Sequence, residues 1–333
     1  MRQWIRRLAA AFSLLLLLTA CSSGQEASKA SQLAMTVAGH EVEVGTYAAN
    51  YLYSKAGIEN MMYQYGITDL WDSEIGSSYK EHLGEIARSQ TASLYLVPDQ
   101  FAAAGLTLTD EDRQSAGEPN PNLKEMGFTD GLIDQFTEYY TMLDKLDAYY
   151  FGENGVMVPE ESEIENYFQQ NYMRAKHVLI SAMDENNQPI TDEGTLAELE
   201  ATAQEVYRRA AGGEDFDALI AEYGQDPGTS SNPDGYQFTD GEMVTEFQET
   251  VKALEMNGIS EPVKSDYGWH IIQRLPLLEE GRASVFGNIV TALTGMSMDS
   301  LLDQWVNEAE ITEEAVLSEI TFDNVDNYKY SVS

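Results

Sequence analysis

His177, His270 and Asp226 are the residues whose types could do chemistry. The chain of 333 residues has only four histidines, and two of them fall in this set. His177 lies in the aliphatic run Ala175-Lys176-His177-Val178-Leu179-Ile180, and His270 in Trp269-His270-Ile271-Ile272. Asp226 lies in the proline- and glycine-rich stretch between them. Two imidazoles and a carboxylate could be a metal facial triad. They could be a hydrolase pair, although no nucleophile is obvious beside them. They could also be structural histidines whose two nitrogens tie adjacent strands together. Residue types alone leave these three readings open. His40 and His82 are isolated and read as surface or capping residues. The single cysteine, Cys21, excludes an internal disulfide and any multi-cysteine zinc or iron–sulfur site.

The elements that must position these residues begin near Arg174. Residues 175–180 read as a strand. Thr195-Leu196-Ala197-Glu198 reads as a capping box. Leu196, Leu199, Ala203, Val206 and Ala210 then mark one helix face, stopped by Gly212-Gly213. Asp215 can cap a second helix bearing Phe216, Leu219, Ile220 and Tyr223. Gly224 to Gly235 is a loop, and Tyr236-Gln237-Phe238 a brief strand. Val244, Phe247, Val251 and Leu254 give a third helix. Pro262-Val263-Lys264 and Trp269 to Arg274 close with two strands. The order strand, helix, helix, strand, helix, strand, strand describes a compact α+β unit over 173–277.

Outside it the pattern is helical. Met35 to Val44 alternates about Ala38-Gly39 and suggests a hairpin. Helices follow, one carrying Tyr47, Tyr51 and Leu52, another carrying Leu83, Ile86, Leu94 and Val97 and ended with the help of Pro98. Ala102 to Asp110 reads as a helix end, a glycine stop at Gly105, a short extended piece and a new cap. Leu132, Ile133, Phe136, Tyr140, Leu143 and Leu146 mark a further helix. Residues 33–172 thus form a helical domain. Residues 278–333, with a helix over about 299–309, are too few for their own core. They are expected to pack back on that domain, which makes 173–277 an insertion.

Residues 1–20 begin with basic residues and continue into an apolar run too short to span a bilayer, as a signal peptide does. The run ends in Leu17-Leu18-Thr19-Ala20-Cys21, which resembles a bacterial lipobox, with Cys21 the lipidated residue. A polar linker occupies 21–32. Each buried acyl methylene would contribute roughly 0.8 kcal/mol to anchoring. The chain holds 19 Lys+Arg against 56 Asp+Glu, a net charge of −37. Such a surface repels phosphate backbones and excludes nucleic acid as a partner.

Six words in 173–277 occur in one order: Lys176 to Ile180, Gly213 to Leu219, Tyr223-Gly224-Gln225-Asp226, Gly241 to Phe247, Gly258 to Val263, and Tyr267 to Ile272. Together they resemble the parvulin family of peptidyl-prolyl cis/trans isomerases. With the lipobox and the helical flanks, the arrangement is similar to extracytoplasmic foldase lipoproteins of the PrsA type, and distantly to SurA-type chaperones. The resemblance implies a four-stranded antiparallel sheet with surrounding helices, inserted in a mostly α-helical chaperone module. It implies that His177 and His270 lie back to back beneath the site, with Asp226 beside a proline pocket. Met243 and Phe247, whose i, i+4 spacing places them on one helix face, correspond to the pocket's apolar floor. Phe238 corresponds to an aromatic at its edge, and Ser265 to a hydroxyl of the histidine network. A glycine-rich segment of the family appears here as Asn232-Pro233-Asp234-Gly235-Tyr236, so Tyr236 stands in for an apolar substrate contact.

The activity so implied is isomerisation of X–Pro bonds in secreted proteins, with holdase activity toward unfolded chains. It needs no cofactor and no metal. Its partners are unfolded or partly folded secreted proteins and, through Cys21, the extracytoplasmic face of a bacterial cell membrane. The oligomeric state is left open, a homodimer among the options. The competing readings are a holdase with a degenerate parvulin unit, a solute-binding lipoprotein and a metal enzyme. The repeated βαβ pattern over two lobes that a solute-binding lipoprotein usually shows is not found in the sequence.

Overall fold

The computed structural model describes residues 28–332; the signal-like segment and Cys21 lie outside them. The chain divides into two compact units. One gathers residues up to Leu96, Gly117–Thr137 and Glu308 onward; the other gathers Val97–Ala116 and Glu138–Asn307.

The first unit opens with the expected hairpin, β1 (Leu33–Val37) and β2 (His40–Glu43). The turn between them places Ala38 and Gly39 at φ 48° and 92°, a conformation that glycine adopts without steric cost. Helix α1 (Val44–Gln64) follows and buries Tyr47 and Tyr51. Helix α2 (Glu74–Ala103) passes from the first unit to the second. It runs through Pro98 rather than stopping there. A proline inside a helix loses one backbone hydrogen bond, but Leu94, Val97 and Phe101 around it are all buried, and that packing holds the helix on course. The stop comes later, at Gly105 with φ 73°. Helix α3 (Asp110–Ser115) then starts from a capping box. Thr109 Oγ1 accepts from Asp112 N–H at 3.2 Å, and Thr109 N–H donates back to the Asp112 carboxylate at 2.7 Å. Helix α4 (Asp130–Phe151) again joins the two units.

The second unit continues with α5 (Glu161–Asn171) and β3 (Tyr172–Ser181). Next come α6 (Glu193–Ala211), α7 (Phe216–Tyr223), β4 (Tyr236–Thr239), α8 (Thr245–Ala253), β5 (Val263–Ser265) and β6 (Gly268–Leu275). The element order is the one the sequence implies, and the fold is α+β. Local starts differ in two places. The N-cap of α6 is Asp192, whose carboxylate accepts from Thr195 N–H at 2.8 Å. Thr195 therefore sits inside the first turn and is not the cap. Helix α8 begins at Thr245, so Met243 precedes it and does not share a helical face with Phe247.

The four strands form an antiparallel sheet in the order β4-β3-β6-β5. One face carries Val178, Ile180, Trp269 and Ile271, packed with Ala203, Val206, Phe216 and Leu219 of α6 and α7. The other face carries Ala175 and Ile272, packed with Phe238 and with Phe247 and Val251 of α8.

Helices α9 (Glu279–Thr294) and α10 (Met298–Glu308) also belong to the second unit. Ile289 of α9 is buried with Ile164 and Phe168 of α5, and Val290 with Phe151 and Leu301. Only the stretch after them joins the first unit: β7 (Ile311–Glu313) pairs antiparallel with β1, giving a three-stranded sheet in the order β2-β1-β7. Among the described residues, no single helix is long and apolar enough to cross a membrane.

Candidate active site

Strand register brings the two histidines together. His177 pairs across from Ile272, and Leu179 from His270. Residues two apart on a strand share a face, so both imidazoles point to the α8 side as diagonal neighbours. Their rings stack with centroids 5.2 Å apart and planes 11° from parallel. Both are buried, and their Nδ1 atoms are 3.0 Å apart. Phe247 of α8 stands edge-on to each ring.

Each outer nitrogen has its own partner. His177 Nε2 is 2.9 Å from Asp226 Oδ2, and His270 Nε2 is 2.7 Å from Ser265 Oγ. Ser265 Oγ also accepts from Tyr267 N–H at 3.1 Å. Asp226 is held by the loop it opens. Its Oδ1 accepts from Gly228 N–H at 3.1 Å, while its Oδ2 accepts from Thr229 Oγ1 at 3.2 Å and from the Tyr236 hydroxyl. The loop reaches this position because β4 covers β3 only as far as Ala175. Beyond that point the backbone of β3 needs other partners on that side. Gln225 supplies them: its N–H donates to Leu179 O at 3.0 Å, and its Oε1 accepts from Ser181 N–H at 2.8 Å.

The hydrogen bond from His177 holds the Asp226 carboxyl well below the usual carboxylate range, with help from Tyr236 and Gly228 and against burial. Burial, with Asp226 beside it, pushes the Tyr236 phenol up to about 12, so it stays a donor. Burial, reinforced by the neighbouring imidazole, pushes His270 down to about 4. An ionised carboxylate only accepts, so His177 Nε2 carries a proton toward Asp226. When neither imidazole holds an extra proton, the remaining polarity follows. His270 Nδ1–H donates to His177 Nδ1, and Ser265 O–H donates to His270 Nε2. The network is a fully paired chain from the Tyr267 amide to the Asp226 carboxylate.

A cavity of about 500 Å³ opens over this chain. His177, His270, Asp226 and Tyr236 line it, together with Met243, Val244 and Phe247. Met243 and Phe247 thus meet in the cavity, although a turn rather than a shared helix presents Met243. Phe238 does not line it; it is fully buried behind Phe247, ring to ring at 5.8 Å. Ser265 lies one layer back, reaching the cavity only through His270. Tyr236 stands edge-on to His177. Three further groups were not legible in the sequence. Tyr267 is a half-exposed aromatic at the cavity's rim, Asn187 comes from the β3–α6 loop, and Thr229 buttresses Asp226. The only available signals were an aromatic in a two-residue turn and a hydroxyl three residues after an aspartate.

The geometry selects among the open chemistries. Both nitrogens of both imidazoles are engaged by protein groups, and no group of three or more His, Cys, Asp or Glu among the described residues is arranged to hold a metal ion. The Ser265 hydroxyl is buried and tied to His270, so it is not presented as a nucleophile. What faces the cavity is an apolar floor beside a fixed polar wall. A family model described as Rotamase, a PPIC-type PPIase domain, matches residues 177–275. This segment is a peptidyl-prolyl isomerase domain of the PPIC type. Over a longer stretch, the chain is 28% identical to the foldase protein PrsA of Caldanaerobacter subterraneus, across 87% of this chain and 88% of that one. It is 39% identical to PrsA of Geobacillus kaustophilus over 117 residues, 34% of this chain and 35% of that protein. The crystal structure of the peptidylprolyl isomerase PrsA from Bacillus cereus is 22% identical, covering 75% of this chain and 94% of that chain with a TM-score of 0.32. The PPIase domain is thus the part of the chain in which site and sequence likeness coincide.

Proposed function

We propose that the protein is a membrane-anchored, extracytoplasmic foldase that isomerises X–Pro bonds in secreted chains and holds those chains while they are unfolded. The observation that carries the catalytic part is the apolar floor of Met243 and Phe247 set against the hydrogen-bonded wall of His177, His270, Asp226 and Tyr236. Rotating an X–Pro amide meets a barrier of ~18–20 kcal/mol, set by the double-bond character of C–N. No bond is made or broken. A site need only bind the twisted amide better than either planar isomer. An apolar floor that grips the ring, beside polar groups whose orientation is already fixed, is suited to that task. The holdase part is supported by the exposed Tyr63 in the last turn of α1 and Tyr65 just past its end, which offer apolar contact to unfolded chains. Anchoring is supported by the lipobox at Cys21.

The test is an X–Pro tetrapeptide isomerisation assay on residues 22–333. Wild type should accelerate exchange well above the uncatalysed rate, which takes tens to hundreds of seconds. Met243→Ala should raise KM up to about tenfold, by loss of apolar contact, with an unchanged melting temperature because the side chain is only half-buried. A wild type with no activity would leave the holdase as the function. Cys21→Ser in the full-length precursor should release the protein from the membrane fraction or leave it uncleaved. A normally acylated, membrane-bound variant would overturn the anchoring.

A further inference from the structure

A second cavity, of about 570 Å³, adjoins the first. His177, Asp226 and Tyr236 line both, so the Tyr236–Asp226 hydrogen bond forms a shared wall. The far side of the second cavity is built from Ile220 and Ala221 of α7 and from Pro233 of the loop before β4. Its charged members are already spoken for. Lys176 Nζ is 2.7 Å from the Asp217 carboxylate, and Asp226 accepts four hydrogen bonds. A charged guest would find no free counter-charge there, whereas an apolar one would meet Ile220, Ala221 and Pro233.

We propose that this second cavity is a subsite for an apolar side chain two residues from the isomerised proline. The proposal rests on the isomerase reading of the first cavity. An extended peptide turns successive side chains to opposite sides, so residues two apart face the same surface. With the proline ring on Met243 and Phe247, the adjoining residue crosses the Tyr236–Asp226 wall, and the next inward-facing side chain enters the second cavity. The rigidity of the wall sets this spacing. Gly228 has no room for a side chain, because a Cβ there would lie 2.2 Å from the Tyr236 hydroxyl.

The experiment compares kcat/KM of the full chain on X–Pro peptides that carry leucine, alanine or glutamate two positions before the proline, and on a second set with the change two positions after it. In one of the two sets leucine should exceed alanine by about tenfold, the gain typical of filling an apolar pocket, with glutamate no better than alanine. The set that shows the gain assigns the direction of the chain. Ala221→Arg, at an exposed position of α7, should abolish the leucine gain, leave the alanine peptide within twofold of wild type and leave the melting temperature unchanged. A leucine-to-alanine ratio near one in both sets, or a gain that survives Ala221→Arg, overturns the subsite. If wild type turns over no peptide, the isomerase reading falls. Binding of labelled leucine and alanine peptides, read by fluorescence anisotropy, then decides the subsite: tighter binding of leucine that Ala221→Arg removes supports it, and equal binding overturns it.

Discussion

Burial and the adjacent imidazole hold His270 near a pKa of 4, against an ordinary 6.5. Because the folded value is the lower one, the unfolded chain binds more protons between these two pH values. Stability from this group is therefore complete above pH 6.5 and declines as pH falls toward 4. The shift corresponds to about 3 kcal/mol. Asp226 is depressed instead, so its contribution is present above its unfolded value and fades only as pH falls through its much lower folded one, beneath this window. Urea unfolding of wild type and His270→Gln at pH 7 and pH 4 should show their difference shrinking by about that amount; a constant difference would mean that His270 is not held neutral by the fold. The sequence made His177, His270, Asp226 and Ser265 visible through their surrounding words. It could not show the Nδ1–Nδ1 contact, which arises from a diagonal register between residues 93 positions apart in the sequence. Nor could it distinguish Phe238 behind the cavity from Phe247 in front, since both are apolar residues of one small core.

Short elements do most of the positioning. The loop from Gln225 to Gly235 is fixed at one end by the Gln225 contacts to β3 and at the other by Gly235, whose φ of 94° and missing Cβ allow close approach to Ala175 O. Between them, Gly228 lets Tyr236 reach Asp226. Gly228→Ala carries no positive-φ penalty, yet its Cβ would displace the Tyr236 hydroxyl. The expected outcome is a fall in kcat/KM of roughly tenfold, the worth of one hydrogen bond to a charged group, with a much smaller change in melting temperature. An equal loss of both would show that the loop serves stability alone. Element types were legible from periodicity and glycine stops, whereas starts were less so. Asp192 and Thr195 are both good caps by composition, and only the backbone path decides that the aspartate comes first. By local propensity Pro98 marks a helix end, but propensity is a weak prior and burial on both sides of the proline overrides it.

At the scale of the whole molecule, the isomerase domain is one uninterrupted stretch with its own two cores on either face of one sheet. Residues 173–277 should unfold cooperatively as an isolated fragment in urea, and a non-cooperative transition would show that α5 and α9 are required. The sequence marked this stretch well, since its apolar periodicities close within it. It marked the remainder less well. Helices α9 and α10 join α5 in the second unit, and only the residues after them join β1; which earlier surface a late helix covers leaves no local pattern. The strand β7 carries a further consequence. A chain synthesised from its N-terminus presents β1 and β2 long before β7, the partner on one side of β1. Until then β1 and β2 are a lone hairpin, which is marginal in water, with one edge open to any passing strand. The isomerase domain can finish folding while this sheet still waits. A product truncated before residue 311 would thus keep every strand and helix of the isomerase domain while leaving one edge of β1 uncapped and adhesive, which makes synthesis past that residue the step that closes the β2-β1-β7 sheet.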